Sequence, residues 1–223
     1  MKTIGIIGRA YFNKDNQKIF QVHETIRKVL SKYDVCFIPL LPYDENDYLD
    51  YEGGLDKVNN KIDYLLDKCD GFIAPGGTYS FRFDEYIMDY AIKNNKPLLC
   101  ICHGFQALCN MYTKDRNSFN MTEMLKDESH HKNVFEYAHN VNIKKDTLLY
   151  DIIKKDNIPV NSSHFYYVSK ELKELTKCAY SDDNVLEAVC LDNKKFVLGV
   201  EWHPECIYDD YSKKIFDRFI ESL

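Results

Sequence analysis

Hydrophobic residues along the first half of the chain fall into short uninterrupted runs that alternate with segments of helical period. Residues 3 to 8 form an apolar run of the buried-strand kind. From Gln17 to Lys32, Ile19, Phe20, Val22, Ile26, Val29 and Leu30 recur at helical spacing. Val35 to Pro39 reads as a second strand, followed by an acidic loop from Asp44 to Glu52 and by a helix over 55–69. Asp70 to Ala74 makes a third strand and runs into Pro75-Gly76-Gly77; Asp84 to Asn94 makes the next helix. Pro97 to Ile101 is a fourth strand that stops at Cys102-His103-Gly104 and restarts as helix through Phe105, Leu108 and Cys109. Strands alternating with helices in this order predict an α/β fold with a parallel sheet and right-handed crossovers.

The pattern changes after that helix. Residues 112 to 133 are polar and read as a surface excursion, with a short helix near Met121 to Leu125. Short strand-like runs then follow at Val134–Ile143, Val160–Ser163, Tyr166–Val168, Cys178–Tyr180, Leu186–Leu191 and Phe196–Trp202, parted by turn signals such as Asp182-Asp183-Asn184. Antiparallel strands added to the sheet are expected here. Tyr211 to Leu223 closes as an amphipathic helix. With no linker or repeat, residues 1–223 read as one domain.

Charge and composition narrow the picture. A formal charge of −6 with no basic patch argues against nucleic acid or an anionic membrane as partner. No run of eighteen apolar residues and no signal-like start are present, so a soluble, cytoplasmic protein is expected. The eight cysteines lie mostly in apolar segments of a chain large enough to need no staples, and reduced buried thiols are expected. No metal site is expected: Cys100-x-Cys102 lacks a second pair at ligand spacing, the two sulfurs are expected on opposite faces, and His130 and His131 sit in the polar excursion.

Cys102 stands at the corner between strand and helix. A turn there pushes the side chain out of the sheet, and the helix N-terminus favours a thiolate. A thiol needs a base and the base an orienting carboxylate; His203-Pro204-Glu205, at the end of the strand ending in Trp202, supplies both.

Pro75-Gly76-Gly77, Cys102-His103-Gly104-Phe105-Gln106, Val160-Asn161-Ser162-Ser163-His164 and Gly199-Val200-Glu201-Trp202-His203-Pro204-Glu205 occur in the order and spacing of class I glutamine amidotransferases. Within them the chain most resembles the γ-glutamyl-γ-aminobutyrate hydrolase family, through Asn-Ser-x-His, Arg82-x-Asp84-Glu85 and Ala138-His139-Asn140-Val141. The resemblance implies a flavodoxin-like three-layer sandwich with a mostly parallel central sheet, a nucleophile elbow and added antiparallel strands. It implies Cys102 as nucleophile, His203 as general base and acid, and Glu205 as its orienter. The backbone N–H groups of Gly77 and His103 become the oxyanion donors, and Gly76, Gln106, Asn161, Ser162 and His164 the residues holding a γ-glutamyl group.

The activity implied is hydrolysis of a γ-glutamyl amide of a small amine through a thioester, with no cofactor. A glutaminase subunit feeding ammonia to a separate synthase, a homodimer, and a non-catalytic small-molecule binder on the same fold remain open beside it. Two departures from the family pattern stand out, Cys100 in place of Gly and His103 in place of Arg. The Gly-Gly segment expected after the elbow helix is not recognisable.

Overall fold

A computed structural model describes residues 1–43, 58, 60–77, 82–113, 122–125 and 130–223. In chain order its elements are β1 (Lys2–Ile7), β2 (Arg9–Phe12), β3 (Lys18–Gln21), α1 (Glu24–Leu30), β4 (Val35–Leu40), α2 (Asp63–Lys68) entered through a 3-10 turn, and β5 (Gly71–Ala74). There follow α3 (Arg82–Lys93), β6 (Leu98–Ile101), α4 (His103–Met111), β7 (Thr122–Met124), β8 (His139–Ile143), α5 (Leu148–Ile153), β9 (Asn157–Val160) and β10 (Tyr166–Val168). The last are β11 (Thr176–Ser181), β12 (Leu186–Cys190), β13 (Val197–Val200) and α6 (Asp210–Glu221).

Among the described residues one nine-stranded sheet runs β4-β1-β5-β6-β13-β12-β11-β8-β9. Its first five strands pair in parallel and the remaining ones antiparallel. The apolar runs explain the parallel half: β5, β6 and β13 are buried at every residue, as strands covered on both faces must be. Two cores flank the sheet. One holds Leu66 of α2, Ile87 of α3 and Leu108 of α4; the other holds Ile26 of α1, Leu149 of α5 and Phe216 of α6. The three-layer α/β architecture is therefore the expected one.

Several local expectations change. Residues 17 to 22 are not helical: Ile19 and Phe20 belong to β3, paired with Tyr11 and Ala10 of β2, and α1 begins only at Glu24. Apolar residues two or three apart satisfy strand and helix alike, and here the hairpin wins. The helix expected near Met121 is the strand β7, paired with β10 outside the main sheet. Helix α5, started by the Thr147 side chain accepting from the Tyr150 N–H at 3.3 Å, was not anticipated. The acidic stretch from Asp44 to Glu52 lies outside the described residues, as do 114–121 and 126–129 of the polar excursion. All eight cysteines are free thiols.

Ends of the parallel strands converge at one edge of the sheet, where α/β proteins place their sites. There β1 delivers Arg9, β5 delivers Pro75-Gly76-Gly77, β6 delivers Cys102, and β13 delivers Glu201 to Glu205.

Candidate active site

Cys102 is the turn itself. Its backbone sits at φ 50 and ψ −109, its N–H donates to Val200 at 2.8 Å, and its carbonyl accepts from the Gln106 N–H at 3.0 Å, so α4 starts directly on it. A non-glycine residue at positive φ stores about 1–3 kcal/mol, held here by the sheet on one side and the helix on the other. Strand alternation alone would keep residues 100 and 102 on one face, so alternation is not what parts the two sulfurs. It is the elbow that sends Cys102 to one core and leaves Cys100, fully buried, in the other.

The turn needs glycine next to it, since a Cβ on Gly104 would lie 2.1 Å from the Ala74 carbonyl oxygen.

His203 lies beside Cys102, within electrostatic reach of its sulfur. Behind it, His203 Nδ1 lies 2.8 Å from Glu205 Oε1, and both residues are buried. Burial, the largest influence, pushes the imidazole down, but the Glu205 carboxylate and the Cys102 sulfur reverse it and hold His203 well above its ordinary value. An imidazole so placed can take the thiol proton.

The Pro75-Gly76-Gly77 segment packs directly on this pair. A Cβ on Gly76 would come within 2.8 Å of His203 Cε1 and 3.4 Å of Cys102 Cβ. The segment is clasped from below by Arg9, which the sequence reading did not single out. Arg9 Nε donates to the carbonyls of Pro75 at 3.0 Å and Gly76 at 3.2 Å, and Nη1 pairs with the buried Asp84 carboxylate. An arginine directly after the first strand is the only trace of this in the sequence.

Residues expected around a substrate are placed less simply. Asn161 is a clamp on His203: its Oδ1 accepts from the His203 N–H at 2.9 Å, and its Nδ2 donates to the carbonyls of His203 at 2.9 Å and Val134 at 2.5 Å. Ser162, fully buried, donates from Oγ to the His130 carbonyl at 2.6 Å. Gln106 Nε2 donates to Glu201 Oε1 at 2.5 Å. Burial, then Glu187 nearby, raises Glu201 well above the usual carboxylate range. His103 opens α4; burial, with Arg9 adding to it, lowers its imidazole to about 3, so its side chain brings no positive charge to the thiol.

His164 is buried, with Nδ1 2.8 Å from the Tyr166 carbonyl, and it lies within electrostatic reach of Cys102. Its Nε2 faces His130 and Glu187. His130 is itself only 1% exposed, which corrects the reading of a solvated loop; its neighbour His131 is the surface residue, stacked on Phe165 at 3.5 Å between ring centroids. Glu187 could have been noticed as a lone charge inside the apolar run Leu186–Cys190.

Comparison with known proteins agrees with this geometry. The family model described as Peptidase C26 matches residues 81–205. The glutamine amidotransferase-like protein YvdE of Lactococcus lactis is 31% identical over 144 residues, which are 62% of this chain and 59% of that one. Gamma-glutamyl-gamma-aminobutyrate hydrolase PuuD of Escherichia coli is 28% identical over 187 residues, 71% of this chain and 74% of its own. Among solved structures, the glutaminase domain of Trypanosoma brucei CTP synthase with bound acivicin superposes with a TM-score of 0.67 at 17% identity, covering 100% of this chain and 93% of the other. At that identity the likeness is one of fold. Among the described residues no helix is long and apolar enough to cross a membrane.

Proposed function

The chain belongs to the Peptidase C26 family of glutamine amidotransferase-like hydrolases, and from that premise we propose that it cleaves the γ-glutamyl amide bond of a small γ-glutamyl amine. The observation that carries the reading is the thiol at the strained elbow, beside an imidazole that a buried carboxylate holds at 2.8 Å.

In this reading His203 takes the Cys102 proton, and the sulfur attacks the γ-carbonyl carbon. The oxygen that becomes negative is met by the backbone N–H groups of Gly77 and His103, each worth about 3–4 kcal/mol in such a role. The tetrahedral species collapses as His203 returns the proton to the leaving amine, and a γ-glutamyl thioester remains. Water, deprotonated by the same imidazole, attacks the thioester; the C–S bond breaks, Cys102 regains its proton, and glutamate leaves. Glu205 keeps the proton on the distal side of the ring and stabilises the imidazolium.

Gly76, which packs on Cys102, is assigned with Gln106 and Ser162 to the γ-glutamyl side; His164, whose two ring nitrogens both face protein groups, is not. Asn161 is assigned a different task, the positioning of His203. The similarity to PuuD favours a stand-alone hydrolase, with a γ-glutamyl amine as its small-molecule substrate.

Purified protein incubated with a panel of γ-glutamyl amides should release glutamate and the free amine in equal amounts, read by mass spectrometry. Cys102→Ala should lower turnover by at least about 10^4-fold, and Cys100→Ala should leave it within a few-fold. Equal losses in the two variants would assign the chemistry elsewhere. Hydrolysis of glutamine alone, appearing only when a synthase is added, would replace the reading with that of a glutaminase subunit.

A further inference from the structure

A second cluster of titratable side chains, three of them buried and His139 half-buried, lies among the described residues, and the reaction above does not use it. His130 precedes β8, His139 begins β8, His164 lies between β9 and β10, and Glu187 sits inside β12. One ring nitrogen of each imidazole and one carboxylate oxygen all lie within 4.8 Å of one another. We propose that these four side chains form a tetrahedral binding site for a zinc-class divalent cation.

Distances between the ligand atoms carry the first step. His130 Nδ1 is 3.2 Å from His164 Nε2 and 3.3 Å from Glu187 Oε1; His139 Nε2 and His164 Nε2 are each 3.6 Å from the same oxygen. A tetrahedral zinc with bonds of about 2.0–2.1 Å has edges of about 3.3–3.4 Å. Four of the six separations are therefore close to the edges of a zinc coordination sphere, and the two from His139 to His130 and to His164 lie within 4.8 Å.

Tautomers carry the second step. His130 Nε2 faces the Asp183 carboxylate at 3.1 and 3.2 Å, His139 Nδ1 faces the Asn140 carbonyl at 3.2 Å, and His164 Nδ1 faces the Tyr166 carbonyl at 2.8 Å, with Glu201 Oε1 at 3.3 Å. Carbonyls and carboxylates accept only, so each outer nitrogen carries its hydrogen and each inner nitrogen of a neutral ring presents a lone pair. Three lone pairs and an anion then converge on one point. Imidazoles whose far nitrogen is tied to a carboxylate or backbone carbonyl are the usual outer shell of a metal-binding histidine.

Burial carries the third. Glu187 is fully buried, and the groups facing its Oε1 are the imidazoles of His130, His139 and His164 at 3.3–3.6 Å. A buried carboxylate is costly unless positive charge compensates it; without a metal it draws His130 and His164 above their ordinary value against burial, and a cation between the rings would take over that role. Three nitrogens and one oxygen at close quarters suit zinc and its first-row neighbours better than calcium or magnesium, which take oxygen. With four protein ligands the site is closed, so the ion would act as a staple between β8, β12 and the segment leading to β10, beside the wall that faces Cys102.

Full-length protein stripped with a chelator and titrated with Zn²⁺ by calorimetry should bind one equivalent. With Co²⁺ it should develop the intense visible bands of tetrahedral rather than octahedral coordination. Cys102→Ala should keep both signals, which separates this site from the thiol centre. His139→Ala and Glu187→Gln should weaken binding by more than about 100-fold. If either variant fails to fold, the Co²⁺ spectrum of Cys102→Ala decides alone. Absence of binding to the stripped protein, an octahedral Co²⁺ spectrum, or loss of the ion in Cys102→Ala would overturn the site and leave a cluster that holds protons instead.

Discussion

Adding a single methyl at Gly76 tests how tightly the elbow, the base and the Pro-Gly-Gly segment are fitted. Its Cβ would stand 2.8 Å from His203 Cε1, whereas carbon atoms rest at about 3.5–4.0 Å. The difference requires a relative movement of about 0.7 Å or more. His203 has little room to give, because Asn161 holds its N–H and carbonyl at 2.9 Å each and Glu205 holds Nδ1 at 2.8 Å. Pro75-Gly76 cannot give freely either, being bound by Arg9. A displacement near 1 Å at reacting groups costs about 10²-fold in rate, or about 2.7 kcal/mol. Gly76→Ala is therefore expected to lower kcat about 100-fold and to slow alkylation of Cys102 by iodoacetamide. If Gly76→Ala turned over within threefold of the wild type with an unchanged alkylation rate, the close fit of segment and base would not matter to the chemistry.

Other consequences are equally specific. Arg9→Ala should cost about 3–5 kcal/mol in urea denaturation because it strands the buried Asp84 carboxylate, while Lys2→Ala, which breaks the exposed pair with Asp70, should cost less than about 1 kcal/mol; equal losses would contradict the ranking. Asn161→Ala should lower kcat roughly tenfold through a misplaced His203 and leave KM nearly unchanged, whereas a raised KM with normal kcat would return Asn161 to the substrate. Glu205→Gln removes a charge that raises His203, so the basic limb of the pH dependence of kcat/KM should move to lower pH; an unmoved limb would mean that another group sets it. The same raised imidazole adds stability that is complete below its unfolded value near 6.5 and is lost as pH climbs through the folded one, so the wild type should lose more stability than Glu205→Gln across that window.

Legibility in the sequence follows how far apart in the chain the cooperating residues lie. The parallel half could be read because each strand is a buried run and each helix keeps its own period, so β1, β5, β6 and α4 need no partner to be recognised. The grouping of Cys102 with His203 and Glu205 has a related origin: Cys102 ends one such run, and His203 and Glu205 follow the end of another only two residues apart. Residues 17 to 22 were misread because a four-residue strand and one turn of helix ask the same of Ile19 and Phe20, and only the pairing with β2 decides.

The cluster around Glu187 was the least legible part, and the cause is topological. Its members are spread over 58 residues of chain between His130 and Glu187, and no two sit at a helical or turn spacing that would announce a ligand set. What brings them together is the antiparallel end of the sheet. β12 lies two strands from β8 across β11, while Ser162, bonded to the His130 carbonyl, draws the loop before β8 against the segment after β9. His130 therefore changes from a polar residue in a polar stretch to a ring with 1% exposure. Burial of that kind is decided by pairings many residues away, so composition around residue 130 could not foretell it. Glu187 did carry a local sign, a carboxylate in an otherwise apolar strand, because an ionised group in a buried run must be compensated by something. That single misfit points to the cluster, and the geometry then says that what compensates it has to fit between three imidazoles about 3.2–3.6 Å from one another or from the carboxylate.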